Sequence, residues 1–316
     1  MLNSIFRGGN KFVGYVTMFI VFASGILLSF FEPIVSYDYL TSERWLDITI
    51  SGVLILSSGL FLNGFLVRNK FIHINNIAPG FVLVLFLTGL PIQASQLSIL
   101  SSVFLMILLI SKFISLHNTK NNYFTVFEIG VIIGLIVSLT PQFSGVIFLS
   151  IIGLTLVKTY TWRDFLIPLL GISFVLFCKG VYCFMLDKPV DWIMLLDLKF
   201  YKPKLTATTI LTQLILSIIT AVEFIFIYKL FTVVESKNIR ERVHYWLWIW
   251  LSIFLLFSIL FMQFPVNKVE LILLLGLPVS VFSNEFLAGK MKPWKIDLTM
   301  VVLMLSVLSL RVISLF

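Results

Sequence analysis

Two hydrophilic stretches contain the residue types needed for acid–base chemistry on a phosphorylated substrate. Residues 32–47 hold four acids against one base, and Glu32 and Asp38 are among those acids. Residues 187–204, which read DKPVDWIMLLDLKFYKPK, end in a group of lysines: Lys199, Lys202 and Lys204. A carboxylate can act as a general base on an acceptor hydroxyl, and ammonium groups can hold a phosphate as point charges.

This set of groups matches what a membrane glycosyltransferase of the C type needs. Such enzymes place a catalytic acid in their first outer loop, beside a polyprenyl-phosphate sugar. On that hypothesis Asp38 or Glu32 deprotonates or orients the acceptor, and the three lysines bind the lipid phosphate. The alternative, which we favour, is that the loop is acidic because it is outside and solvated.

A second set of polar residues lies within apolar segments. Burying a charged residue there is costly, so such residues are candidates for a functional role. Its ionisable members are Glu128, Lys179, Glu223 and Glu285, and its neutral members are Asn63 and Gln142. From the 1.5 Å helical rise, the three glutamates occupy one level in the inner third of the membrane, whereas Lys179 lies toward the outer side, within reach of Asp187. A transporter needs acids over the whole depth, so helix-packing hydrogen bonds or ion pairs are the better prediction.

Metal and cofactor sites are not predicted. Cys178 and Cys183 lie five residues apart on one apolar segment, so they point different ways and are expected to be buried, unpaired hydrophobes. The three histidines, His73, His117 and His244, all fall in predicted connecting segments. The sequence also contains no phosphate-binding glycine motif, which argues against a bound nucleotide.

Composition defines the class of protein that must position these residues. Of 316 residues, 59% are hydrophobic and only 12% are charged, with a mean hydropathy of +1.06. A soluble domain carries about 25% charged residues, so a water-soluble enzyme and a disordered chain are both excluded. The net charge of +8 would suit nucleic acid only on a basic soluble face, and no such segment is present. The sequence therefore predicts an all-α, polytopic membrane protein.

About eleven apolar runs approach the roughly 20 residues needed to cross a bilayer as a helix. They lie at 12–31, 48–67, 76–91, 96–116, 124–140, 142–158, 164–186, 207–231, 245–263, 270–287 and 296–314. The run at 76–91 is short and contains Pro79 and Pro91, and the stretch 124–158 turns at Pro141. Either could instead be a re-entrant hairpin. No linker is visible, so residues 1–316 are predicted to form a single transmembrane domain.

The placement of lysine and arginine predicts the orientation. With the N-terminus inside and the C-terminus outside, fifteen of the 23 basic residues face inward, and five of the other eight crowd into or beside one outer loop. Tryptophans at the span ends indicate interfacial anchors, namely Trp162, Trp246, Trp248, Trp250 and Trp294 inside and Trp45 and Trp192 outside.

This orientation assigns the larger loops to the two faces of the membrane. Residues 32–47 form an acidic outer loop. Residues 187–204 form a second outer loop, whose part from Trp192 to Phe200 is predicted to be a short helix lying on the membrane surface. Residues 232–244 form a basic inner loop suited to anionic lipids or to a cytoplasmic partner.

Several short patterns over roughly residues 60–185 resemble an uncharacterised family of polytopic inner-membrane proteins from Bacteroidetes. They are Asn63, Asn69-Lys70, Asn75-Asn76, the run from Lys112 to Leu116, the run from Phe127 to Gly130, and the run from Trp162 to Gly171. The family usually shows Asp where this chain has Glu128, and a paired Arg where it has Ser111-Lys112; both departures keep the sign of the charge. The resemblance implies an envelope role, beside polyprenyl-phosphate sugar metabolism or the secretion and gliding machinery, and it assigns no catalytic residue.

Together these observations predict a multi-pass protein of the bacterial inner membrane. The expected function is that of a non-catalytic subunit or scaffold in a cell-envelope assembly, with membrane lipids and other membrane or envelope proteins as partners. A glycosyltransferase acting on a polyprenyl-phosphate lipid is the first alternative, and a transporter is the second.

Overall fold

The described part of the chain is helical. The computed structural model describes residues 11–31, 42–72, 76–89, 97–118, 123–157, 162–187, 207–261, 274–288, 298, 301–307 and 309, and these residues include no strand. The predicted all-helical class is therefore confirmed for them. Three described stretches are long and apolar enough to cross a membrane: Leu46–Arg68, Leu97–Leu116 and Trp162–Met185.

The helices follow the predicted apolar runs in chain order. They are α1 Lys11–Phe31, α2 Ser42–Arg68, α3 Ala78–Thr88, α4 Leu97–Asn118, α5 Tyr123–Leu139, α6 Val146–Val157, α7 Trp162–Met185, α8 Ala207–Val234, α9 Ile239–Phe261 and α10 Gly276–Ala288. Residues 301–307, in the last predicted run, are also helical. Hydrophobic length therefore locates the helices well, because an apolar segment satisfies its backbone most simply as a helix.

Helix ends differ from the predicted loop boundaries. Helix α2 begins at Ser42, inside the predicted loop 32–47. Helix α8 continues to Val234 and α9 starts at Ile239, so most of the predicted loop 232–244 is helical. Hydropathy marks only the apolar part of a helix, whereas Glu, Lys and Arg have good helix propensity and extend it beyond that part.

The connection between α8 and α9 is a tight turn over residues 235–238. Arg242 donates from Nε to the carbonyl oxygen of Lys237 at 2.8 Å and from Nη2 to that of Glu235 at 2.7 Å. The guanidinium thus gives hydrogen-bond partners to two carbonyl groups of the turn and ties the turn to the start of α9.

Two of the apolar helices are short. Helix α3 has 11 residues and α6 has 12, so they extend about 16 and 18 Å along their axes, against a hydrocarbon core of about 30 Å. Helix α5 ends at Leu139 because Thr140 precedes a proline and takes an extended conformation, after which Pro141–Phe143 forms a 3-10 turn. The runs at 76–91 and 124–158, for which a re-entrant hairpin was the predicted alternative, thus contain helices shorter than the hydrocarbon core.

The chain forms two compact units, and the first comprises Met1–Leu100, Pro203–Val233 and Val266–Phe316. In this unit α1, α2 and α10 contact α3, all of whose residues are buried. Gly14 lies against Ile77 and Gly25 against Thr88, so α1 and α3 run in the same direction. At the start of α3, the Ala78 backbone N–H donates to Asn76 Oδ1 at 3.0 Å.

The second unit comprises Ser101–Lys202 and Val234–Pro265. Its most extensive contact is between α5 and α7, and α6 packs against α9, with the rings of Phe148 and Phe254 stacked 6.2 Å apart. Both cysteines of α7 are free thiols. The prediction that they are buried is wrong, since Cys178 is exposed and Cys183 is partly exposed, because α7 turns much of its apolar surface outward.

Candidate functional site

The close contact between α5 and α7 organises the polar groups of the second unit. A Cβ atom on Gly130 would collide with the carbonyl oxygen of Pro168, and one on Gly171 would lie 2.7 Å from that of Phe127. Gly134 faces Ile172 in the same way. Small residues four apart let two helices approach until their backbones touch, which is a common basis for helix association in membranes.

The pairing of residues fixes the relative direction of these helices. Gly130 meets Pro168, and Ser138, eight residues later in α5, meets Lys179, eleven residues later in α7. Helices α5 and α7 are therefore parallel. Helix α4 is antiparallel to α5, because Lys112 near its end meets Glu128 near the start of α5. We call these two ends of the unit the Lys112 end and the Lys179 end.

An ion pair lies at the Lys112 end. The ammonium of Lys112 donates to Glu128 Oε2 at 2.7 Å, and the two side chains are 36% and 30% exposed. Glu128 was singled out as an intramembrane acid, and this contact joins it to α4. The first turn of α7 belongs to the same end, and there the guanidinium of Arg163 lies 5.9 Å from the centroid of the Trp162 ring.

Two hydrogen bonds join helices at the Lys179 end. Lys179 Nζ donates to the carbonyl oxygen of Ser138 at 2.6 Å, so its charge sits at the negative C-terminal end of the α5 dipole. Lys179 was predicted to lie within reach of Asp187, but these two described residues form no ion pair, and the ammonium group binds α5. The hydroxyls of Ser102 and Thr140 share a buried hydrogen bond of 2.9 Å.

A buried histidine in α9 was missed by sequence reasoning. The prediction that His244 lies in a connecting loop is wrong, because α9 starts five residues earlier and His244 is fully buried within it. Its ring lies 5.4 Å from that of Tyr245 and 6.1 Å, edge-on, from that of Trp248. Trp248 is itself fully buried and so does not fit the predicted interfacial anchor.

The surroundings of His244 oppose its protonation. Burial, with a smaller contribution from the positive charge of Arg240, lowers the pKa of His244 from 6.5 to about 3. The residue precedes the span predicted at 245–263 and is neutral at physiological pH. The spacing of Arg240, His244 and Trp248 by four residues was the available sequence signal, since it places them on one face of a helix.

The first unit contains one of the predicted neutral polar residues. Asn63 is 3% exposed, and its Oδ1 has no hydrogen-bond partner among the described residues. It lies at the crossing of α2 and α3, where a Cβ atom on Gly80 would be 2.7 Å from the carbonyl oxygen of Gly59 and 3.2 Å from the Asn63 Cβ. Asn63 thus takes part in close packing.

The remaining predicted site residues lie outside the described part of the structure, either entirely or in their side chains. Glu223 and Glu285 lie on α8 and α10, and Gln142 lies in the 3-10 turn, but their side chains are outside the described part of the structure. The outer-loop candidates are also outside the described residues: Glu32, Asp38, Lys199, Lys202 and Lys204. The same holds for the helix predicted from Trp192 to Phe200.

Several polar side chains of the second unit take part in contacts between helices. Within the described residues, no group of three His, Cys, Asp or Glu side chains could hold a metal ion. Two of the predicted intramembrane charges, Glu128 and Lys179, have described side chains, and both contact a neighbouring helix.

The sequence matches no family model, and no curated protein or solved structure is significantly similar to it.

Proposed function

We propose that the chain is a non-catalytic subunit or scaffold of a bacterial cell-envelope assembly. One observation carries the proposal: polar groups within the helices of the second unit are used to join helices. Lys112 binds Glu128, and Lys179 binds the carbonyl oxygen of Ser138. Groups engaged in this way stabilise the arrangement of helices.

We further propose about eleven spans in the inner membrane, with the N-terminus in the cytoplasm. The orientation rests on the division of the basic residues in the sequence, fifteen of which face inward on this arrangement. Helix α7 also exposes large apolar side chains along its length, among them Leu170, Phe177 and Phe184, as a lipid-facing helix does.

The proposed partners are membrane lipids and other membrane or envelope proteins. The resemblance to the Bacteroidetes family supports an envelope role, near polyprenyl-phosphate sugar metabolism or the secretion and gliding machinery. Purification of the tagged full-length chain in mild detergent, followed by mass spectrometry, tests this. We expect an envelope protein in stoichiometric amount, and recovery of the chain with background proteins alone would contradict the proposal.

A second experiment separates a scaffold from an enzyme. In a deletion strain complemented with point variants, a scaffold predicts that Asp38→Asn, Glu32→Gln and Lys202→Ala each retain function, because exposed charges away from a site contribute little. Loss of a general base in a glycosyltransferase would instead cost on the order of a hundredfold in rate. Protein level is measured in parallel, and a stable Asp38→Asn protein that fails to complement would overturn the scaffold.

A further inference from the structure

We propose that Lys112 and Glu128 bind a phospholipid head group that carries both a phosphate and a primary ammonium, as phosphoethanolamine does. The inference rests on the membrane-spanning arrangement proposed above. It begins from the Lys112–Glu128 pair, whose single bond of 2.7 Å joins the end of α4 to the start of α5.

Each partner in this pair has hydrogen-bonding capacity that the described residues do not use. The lysine ammonium has three donors and the carboxylate has two acceptor oxygens, and the contact consumes one of each. Among the described residues, Glu128 Oε1 accepts no hydrogen bond, and Lys112 Nζ donates only to Oε2. Since both side chains are about one-third exposed, the unused atoms can reach groups outside the protein.

The pair lies where lipid head groups are expected. Lys112 is close to the end of Leu97–Leu116, which is long and apolar enough to cross a membrane. Helix α5 begins with Tyr123 and Phe124, both exposed, five and four residues before Glu128. Exposed aromatic residues at a helix end are typical of the membrane–water interface, which is the depth of phospholipid phosphates.

The two opposite charges select the kind of head group. A phosphate oxygen can accept from Lys112, while a primary ammonium can donate to Glu128 Oε1. A phosphocholine group carries the same net charge, but its quaternary nitrogen has no N–H to donate. A phosphoglycerol group can satisfy Lys112 only through its phosphate, and it brings no positive charge to Glu128. The geometry therefore favours phosphoethanolamine over both.

The test uses the purified full-length chain in detergent, titrated with lipids that share acyl chains and differ only in head group. Bound lipid is counted by native mass spectrometry. We expect phosphatidylethanolamine to bind about fivefold more tightly than phosphatidylcholine, which corresponds to one exposed charged contact. Glu128→Gln should remove this preference, because a neutral amide does not attract the ammonium. Asp187→Asn removes a carboxylate from the other end of the unit and should keep the preference.

Equal binding of the two lipids by the wild-type chain overturns the inference, even if the Gln variant does not fold. A preference that survives in folded Glu128→Gln overturns it too. Displacement of the lipid by water-soluble phosphoethanolamine at equal concentration would show that the ligand is soluble and contradict a lipid site. Alkaline extraction of membranes is a separate measurement: release of the chain there would contradict the membrane arrangement itself.

Discussion

The contact between Lys112 and Glu128 makes a prediction that a double-mutant cycle can measure. Lys112→Met, Glu128→Gln and the double variant should give a coupling free energy of about 0.5 to 1 kcal/mol, since partly exposed pairs and interhelical hydrogen bonds in membranes are both weak. Unfolding in mild detergent supplies the free energies. The pair Lys237–Glu241, in which a residue of the turn 235–238 lies 3.7 Å from a residue in the first turn of α9, serves as the control, with an expected coupling of about 0.3 kcal/mol. A coupling at Lys112–Glu128 no larger than the control would contradict its role in joining α4 and α5.

His244 makes the stability of the protein depend on pH. Its pKa is lowered in the folded chain to about 3, whereas the unfolded chain binds a proton near pH 6.5. Above pH 6.5 both states are neutral at this residue and stability is unaffected. As the pH falls below 6.5, only the unfolded state gains the proton, so stability falls by up to about 1.4 kcal/mol per pH unit.

Thermal unfolding in detergent at pH 7.5, 6.5 and 5.5 checks this. The variant His244→Phe keeps an aromatic ring beside Tyr245 and Trp248 and should lose less stability between the two lower pH values than the wild type does. Because the substitution also changes packing, the two proteins are compared by how steeply their stability changes with pH, and their absolute stabilities are not compared. Parallel slopes in the two proteins would contradict the argument.

At the scale of helices, the contact of α5 with α7 predicts a strong effect of one methyl group. Gly130→Ala would place its Cβ against the backbone of Pro168, which cannot rotate away, so we expect a loss of about 1 to 3 kcal/mol in stability. Gly64→Ala is the matched control, because no atom lies within 4 Å of its Cβ position, and it should be neutral or stabilising by up to about 1 kcal/mol. Comparable losses in both variants would mean that helix propensity or detergent effects, and not the α5–α7 contact, set the result.

The sequence predicts the positions of the helices along the chain better than it predicts the contacts between helices. The length of the apolar run identifies α4 and α7 directly, since a helix of that length suits a bilayer whichever helices pack beside it. Gly130 and Gly134 form a small-xxx-small pattern, yet such a pattern does not say which helix it meets, and Pro168 on α7 carries no complementary signal. The partner of Lys179 was missed for a related reason: the acceptor is the backbone carbonyl of Ser138, a group that every residue has. His244 was assigned to a loop because its charged neighbours lowered the local hydropathy.

For the whole molecule, the proposed orientation predicts which positions meet the outside. With Cys178 and Cys183 replaced by serine, an impermeant thiol reagent applied to spheroplasts should label Ser36→Cys in the outer loop and leave Ser236→Cys unlabelled. The second site labels only after the membrane is opened, because the turn 235–238 is assigned to the cytoplasm. Labelling of Ser236→Cys alone in intact spheroplasts would reverse the proposed topology.

Helix α3 has a consequence for how the protein is made. It is enclosed by α1, α2 and α10 on all of its residues, and Phe86 within it packs against Gly276. Residue 276 emerges from the ribosome only after helices α4 to α9 have been made, so during that time this face of α3 lacks its final cover. Contacts between distant parts of a chain form slowly and leave the intermediate exposed. Nascent chains truncated before α10 should therefore be preferred substrates of membrane proteases and chaperones, and the first unit can close only after α10 has been made.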